Sequence, residues 1–301
     1  MTNTLLPSRF TERFTRLLLG VEPTDAARRQ RVAHRLAMRV EPNPWADPLS
    51  DAQQRWLRAR ADGRIPLSSS WKQLTHHASG RYVLTYDAAQ GTSVDIRILD
   101  PSERTVPRRL RIPLVSLGAP ESVTLLDALP VGQRSRAPSL YPGAAYDISE
   151  RVTALRGRVV VSGAAAIKTP VRWARVEARP VNGGTAVAWA HADHHGEFLL
   201  ILPPESIPAP AVQMPAVLTM AVTAHGRRGL PALVPPLLVQ RADPFWDLPL
   251  ETIGAPGIAP SADLVALGQS MPADYDGTHT QIVQFTYAET ISSSVAAFQI
   301  T

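Results

Sequence analysis

Apolar and polar positions follow two different periods along this chain. In 93–99, Val94, Ile96 and Ile98 alternate with Asp95 and Arg97, and in 108–115 Leu110, Ile112 and Leu114 alternate with Arg109 and Arg111. A period of two predicts half-buried strands. A strand at 81–86 precedes them and one at 122–129 follows, with turns at Gln90-Gly91 and Asp100-Pro101-Ser102. Ahead of residue 76 the spacing is helical. Phe10, Phe14, Leu17 and Leu18 predict a helix over 8–19, and Val32, Ala33, Leu36, Ala37 and Val40 predict one over 24–40. Ser50-Asp51-Ala52-Gln53 reads as a capping box opening a third helix that Gly63 ends.

The densest strand signal lies at 171–204. Ala174 and Val176 point one way, and Arg175, Glu177 and Arg179 the other. Asn182-Gly183-Gly184 supplies a tight turn, because Asn and Gly accept the positive φ that hairpins require. A second strand runs over 185–192, Asp193-His194-His195-Gly196 turns the chain again, and 197–202 runs back until Pro203-Pro204 stops it. Further strands are expected at 211–224 and 237–240. Residues 253–276, rich in Gly, Pro, Ala and Ser, read as an extended connector.

Three groups of residues carry a resemblance: Gly157-Arg158-Val159; Pro170-Val171 with Ala174 and Val176; and Ala192-Asp193 with Gly196 and Phe198. Together they resemble the carboxypeptidase regulatory-like (transthyretin-like) β-sandwich over about residues 155–240. Trp173 stands where that pattern carries glycine, and Ala192 where it carries threonine. The resemblance implies a seven-stranded module that is not itself catalytic, with Gly196 at positive φ and Phe198 in the core.

Composition sharpens this picture in three places. The 28 prolines, spread among short apolar runs, favour strands and loops over a helix bundle. The absence of cysteine removes disulfides and thiol nucleophiles. The net charge of +5 is almost entirely arginine, Lys72 and Lys168 being the two lysines, and it is scattered among acids rather than gathered into a stripe. No nucleic-acid partner is expected from that distribution. No run of eighteen apolar residues is present, and the first residues lack the apolar segment of a signal peptide, so synthesis in the cytoplasm is expected.

Candidate chemistry is sparse. No phosphate-binding glycine loop, nucleophile elbow or zinc-peptidase motif appears. His191, Asp193, His194 and His195 could in principle hold a metal, but adjacent histidines on a strand diverge, and Asp-x-x-Gly already serves as a turn. Trp173, Trp189, Phe245 and Trp246 could stack on sugars if exposed, although large aromatics in a sandwich usually belong to the core. No catalytic, cofactor-binding or metal residues are therefore nominated.

The expected protein is mainly β: two consecutive β-sandwich-like domains, a short helical N-terminal segment and an extended C-terminal arm. The boundaries are 1–75 helical, 76–148 a small β-domain closed by a linker at 138–146, 149–250 the regulatory-like sandwich, and 251–301 connector and arm. The arm alternates Val283, Phe285 and Tyr287 with Ile282, Gln284 and Thr286, and carries no formal side-chain charge except Glu289. An uncharged strand of this kind needs a cover, either as the last strand of its own sandwich or as a strand added to a neighbouring subunit. Val283, Phe285 and Tyr287 are thus the expected contact residues, together with Arg28, Arg35 and Arg39 on the basic face of the second helix. The expected function is a non-catalytic structural or protein-binding component, with no cofactor, in an oligomeric assembly such as a phage-tail-like or contractile injection particle. A carbohydrate-binding accessory protein and a hydrolase are the alternatives.

Overall fold

The computed structural model of the chain describes residues 17–41, 71–85, 92–114, 134–149, 151–162, 168–204, 217–229, 243–255 and 262–300. The chain is mainly β, in two sandwich-like lobes. The first lobe begins with β1 (Leu17–Val21), β2 (Thr24–Asp25), β3 (Gln30–Arg31) and β4 (Ala37–Val40). It continues with β5 (Thr75–His76), β6 (Tyr82–Thr85), β7 (Ser93–Leu99), β8 (Arg108–Pro113), β9 (Ser135–Arg136) and β10 (Ser139–Leu140). One sheet runs β5-β6-β1-β9, and a small sheet runs β10-β2-β3. The alternation in β7 and β8 does what it predicts: Ile96, Ile98, Leu110 and Ile112 are buried, and they meet Leu19, Val21, Tyr82 and Leu84 from the other sheet in one core.

Residues 24–40 are not a helix. Asp25 accepts hydrogen bonds from the amides of Ala27 (2.9 Å) and Arg28 (3.0 Å), which closes a turn between β2 and β3. Its other oxygen accepts from the Tyr146 hydroxyl at 2.7 Å. β4 then pairs antiparallel with β7, Met38 opposite Ile98, and Met38 is buried. Leu17 and Leu19, expected in the first helix, lie in β1. The remainder of that helix, the third helix, and the strands expected at 122–129 and 237–240 lie outside the described residues. The expected linker at 138–146 is not a linker either. β10 pairs parallel with β2, and Leu140 is in the core.

The second lobe comprises β11 (Ala154–Ser162), β12 (Lys168–Pro170), β13 (Arg175–Pro180), β14 (Ala188–His191), β15 (Glu197–Ile201) and β16 (Val217–Gly226). After β16 the chain returns to the first lobe. There β17 (Leu250–Thr252) pairs parallel with β8 and completes the sheet β17-β8-β7-β4, and Ile253 enters that core. The short helix α1 (Leu264–Leu267) follows, with Asp263 as its N-cap and Gly268 as its C-cap. Only then do β18 (Gly277–Thr286) and β19 (Thr290–Ile300) rejoin the second lobe. The lobes are therefore interleaved in sequence, which corrects the expected boundary at 250/251.

One sheet of the second lobe is β14-β13-β16-β18, and the other places β11 between β19 on one side and β12 and β15 on the other. β13 and β14 form the expected hairpin, while the strand after it, β15, crosses to the opposite sheet. β18 pairs with β16 along its whole length, and β19 pairs parallel with β11. Phe285, Phe298 and Ile300 are core residues beside Val176, Val222 and Phe198. The C-terminal arm is thus part of its own sandwich, the first of the two covers expected for it, and not an assembly element outside both cores.

Two positions in the central stretch depend on unusual backbone. Gly196 has φ +73°, and a Cβ there would stand 2.6 Å from the Val159 carbonyl oxygen. Phe198, two residues on, is buried against Phe298 with ring centroids 5.6 Å apart. Trp173 has φ 63°, the left-handed region that glycine enters freely and tryptophan rarely does. It is fully buried at 0% exposure.

Candidate interaction surface

β13 explains why the two lobes hold together. Its inward residues Val176 and Ala178 fill the sandwich, yet the outward residues Arg175 and Glu177 are also buried. Arg175 reaches Glu251 of β17 at 2.9 Å, and Arg108 of β8 reaches the same oxygen at 3.0 Å. The second carboxylate oxygen accepts from Ser270 at 2.9 Å. Burial opposes ionisation of Glu251, but the two guanidiniums and Ser270 outweigh it and hold the carboxyl below its usual range. One carboxylate between two buried cations is a structural arrangement, since every charge has an opposite partner in reach.

The end of α1 is met by side chains from both lobes. The last carbonyls of a helix have no partner within it. Here Arg108 donates to the carbonyl of Val265 (2.7 Å), Tyr141 to Leu267 (3.0 Å) and His191 Nε2 to Gly268 (2.7 Å). His191 is fully buried and stacks on Tyr141 with centroids 4.1 Å apart. Burial, then Arg175 and Arg108, push its pKa well below the usual histidine value. Burial likewise pushes the Tyr141 hydroxyl up to about 12, so it stays a donor. A Cβ at Gly268 would come within 2.6 Å of the Tyr141 ring, so only glycine fits this crossing. Trp173 plugs the seam at another point, packing with Val106 and Leu248 and edge-on to Phe245.

The other sequence candidates are dispersed. Asp193 Oδ1 accepts from the amides of His195 (2.7 Å) and Glu197 (3.0 Å), the turn use that Asp-x-x-Gly implies. The His194 and His195 rings lie tilted against each other, while His191 points into the seam, so the three histidines do not converge. Among the described residues no group of three or more His, Cys, Asp or Glu is arranged to hold a metal. Trp173 and Trp246 are buried, and Trp189 and Phe245 are half-buried on different elements, so the four aromatics make no shared platform. A cleft of about 270 Å³ between the lobes contains Asp100, Asp193 and His194. Two acids in it are already engaged: Asp100 Oδ2 accepts from the Thr105 amide (2.9 Å) and contacts His34 (2.7 Å), and Asp193 holds its own turn.

Arg28, Arg35 and Arg39 do not form one face. Arg28 is exposed, lies over the Tyr146 ring and donates to the Asp147 carbonyl at 3.2 Å. Arg35 is exposed between β3 and β4. Arg39 is half-buried on β4, opposite Arg97. The C-terminal candidates separate as a strand requires. Phe285 is fully buried, Val283 packs on the core, and Tyr287 is 40% exposed. The period of two was read correctly, but the outward face belongs to the alternate set. Ile282 is 61% exposed, and Thr278, Thr280 and Gln284 flank it.

The outward faces of β16 and β18 together make an uncharged surface. Val217 is 55% exposed, Thr219 follows it, and Thr223 meets Thr280 across the strands at 2.9 Å. β18 is also the last strand of its sheet, bonded to β16 on one side only among the described residues. Its ten residues include no Lys, Arg, Asp, Glu or Pro, the residues by which edges are usually blunted.

No helix among the described residues is long and apolar enough to cross a membrane. No family model matches the chain, and no curated protein is significantly similar to it. Among solved structures, GBS52, the minor pilin of the Gram-positive pathogen Streptococcus agalactiae, is matched over 94% of this chain and 95% of that one, at 8% identity and a TM-score of 0.23. At that score the likeness bears on neither fold nor function.

Proposed function

We propose that this chain is a non-catalytic structural subunit of a larger oligomeric assembly, joined to neighbouring subunits through the free edge of β18. The single observation behind this reading is that edge: ten uncharged residues, open on one side among the described residues, with Ile282 61% exposed beside it. Backbone amides and carbonyls on such an edge bind another strand, and the alternate side chains select it. The two-lobed body suits the role, because buried ion pairs and Trp173 fix the lobes on which the edge is carried. The second lobe is proposed to be a regulatory-like sandwich module, on the motif with Gly196 at φ +73° and Phe198 in the core. The assembly proposed is of the phage-tail-like or contractile injection kind.

Ile282→Lys tests the edge, since lysine on an edge strand discourages pairing. By analytical ultracentrifugation at about 100 µM, a range in which weak protein contacts become visible, the native chain is expected to be oligomeric. The variant should be monomeric with an unchanged thermal midpoint. A native chain that is monomeric there, or an oligomer indifferent to the substitution, sinks the proposal.

A further inference from the structure

A second surface lies on the opposite sheet of the same lobe. β11 turns Arg156, Arg158 and Val160 outward, and its partners turn Lys168, Leu199 and Glu197 to the same side. The segment Gly143–Ala144 borders this face, leaving an open groove of about 690 Å³. Val160 and Leu199 are buried and form its floor.

The charge in this groove differs from that of the paired arginines. Arg97, Arg108, Arg109, Arg111, Arg175 and Arg227 each reach a carboxylate. Arg156 instead donates to the carbonyls of Ala144 (3.2 Å) and Tyr146 (3.4 Å), and Arg158 donates through Nε to the carbonyl of His195 (2.9 Å). A carbonyl orients a guanidinium without neutralising it. Lys168 is exposed and makes no ion pair among the described residues. Three positive groups are thus held around one groove, against the single carboxylate of Glu197.

We propose that this groove binds an extended, acidic segment of a partner protein. Arg156 and Arg158 stand two residues apart on a strand, a separation of about 6.6 Å. An extended peptide laid along β11 repeats its side chains at that spacing, so acidic residues at alternate positions meet both arginines. The apolar floor takes hydrophobic residues between them. Glu197 opposes a uniformly charged polyanion but leaves room for a peptide whose carboxylates are spaced. The groove presents no aromatic platform for bases or sugar rings. It lies on the sheet opposite β18, and the inference stands whether or not β18 pairs with a neighbour.

The probes are a labelled peptide of about a dozen residues alternating Glu with Val, the same peptide with Gln for Glu, and a sulfated heparin fragment, followed by fluorescence anisotropy at low and high salt. The Glu peptide is expected to bind the full chain at least about tenfold more tightly than the Gln peptide, and to weaken in salt. Arg158→Ser with Lys168→Ser should lower its affinity about tenfold, two exposed ion pairs being lost. Glu197→Gln should raise it, a gain that misfolding cannot produce. Ile282→Lys should bind as the native chain does, which separates this site from the β18 edge. No binding of the Glu peptide, equal binding of the two peptides, an unchanged double variant, or tighter binding of the heparin fragment would each overturn the inference.

Discussion

Trp173 shows how one residue joins backbone conformation to the packing of two lobes. Its φ of 63° places a Cβ-bearing residue where glycine is at ease, and its ring is wholly buried in the seam. The backbone there is held from outside: the Trp173 amide donates to the Asp193 carbonyl at 3.1 Å, and its carbonyl accepts from Arg175 at 3.1 Å and from the Tyr275 hydroxyl. Removing the ring by Trp173→Ala should therefore destabilise the protein by about 3–5 kcal/mol. Trp173→Gly removes the same ring but relieves a left-handed strain of about 1–2 kcal/mol, offset in part by about 0.5–1 kcal/mol of chain entropy. Glycine should thus be the milder substitution by roughly 0.5–1 kcal/mol in denaturant unfolding. An alanine variant as stable as the glycine variant would mean that the site is not left-handed in solution. Substitution of glycine by tryptophan was visible in sequence against the pattern the stretch resembles. The reason it is tolerated was not, because Val106 and Leu248 that receive the ring come from distant segments.

At the scale of elements, β18 and β19 are the last pieces needed to close the second core. Phe285, Phe298 and Ile300 supply that core, and β19 provides the neighbour of β11 on its open side. A chain ending before residue 277 would expose those core residues' partners and leave β16 and β11 as raw edges. Deleting 277–301 should abolish folding of the second lobe. Loss of near-ultraviolet circular dichroism and rapid proteolysis after residue 150 would report it. A truncated chain that stays folded and soluble would instead restore the arm as an independent element. The arm's strands were legible because their alternation is local, whereas their destination was not. Pairing of β18 with β16 and of β19 with β11 joins segments far apart in sequence. The same limit explains the false helix over 24–40. Val32, Leu36 and Val40 fit a helical stripe, yet Leu36 and Met38 equally fit a strand, and pairing of β4 with β7 decides between them. The turn at Asp193–Gly196 was legible because the hydrogen bonds that shape it, from the amides of His195 and Glu197 to the Asp193 carboxylate, are local.

For the whole molecule, the interleaved path makes the seam a common dependency of both lobes, and the seam contains a titratable group. His191 is neutral in the fold, shut away from water beside Arg175, Arg108 and the Tyr141 ring, with Glu251 bound to both arginines. The unfolded chain takes up a proton on this histidine as pH falls through about 6.5. The folded chain does not, because its pKa lies well below that value. The unfolded state then binds more protons, so stability falls with falling pH, by up to about 1.4 kcal/mol per pH unit for each such histidine. Above about pH 6.5 both states are neutral and the contribution is flat. His194, lowered by burial and by His195, adds in the same direction. Glu251 acts later and with the same sign: its folded pKa is depressed, so its contribution is complete above the ordinary glutamate value of about 4.3 and fades as pH drops through the folded one. Acid sensitivity should therefore begin near pH 6.5, before any carboxylate titrates. His191→Gln offers a side-chain amide to the Gly268 carbonyl without a titrating proton, and should lose one proton's worth of slope between about pH 6 and 5. Unfolding free energies of both proteins across that range decide the matter. If the two slopes are parallel, His191 is not the buried neutral group that joins the lobes.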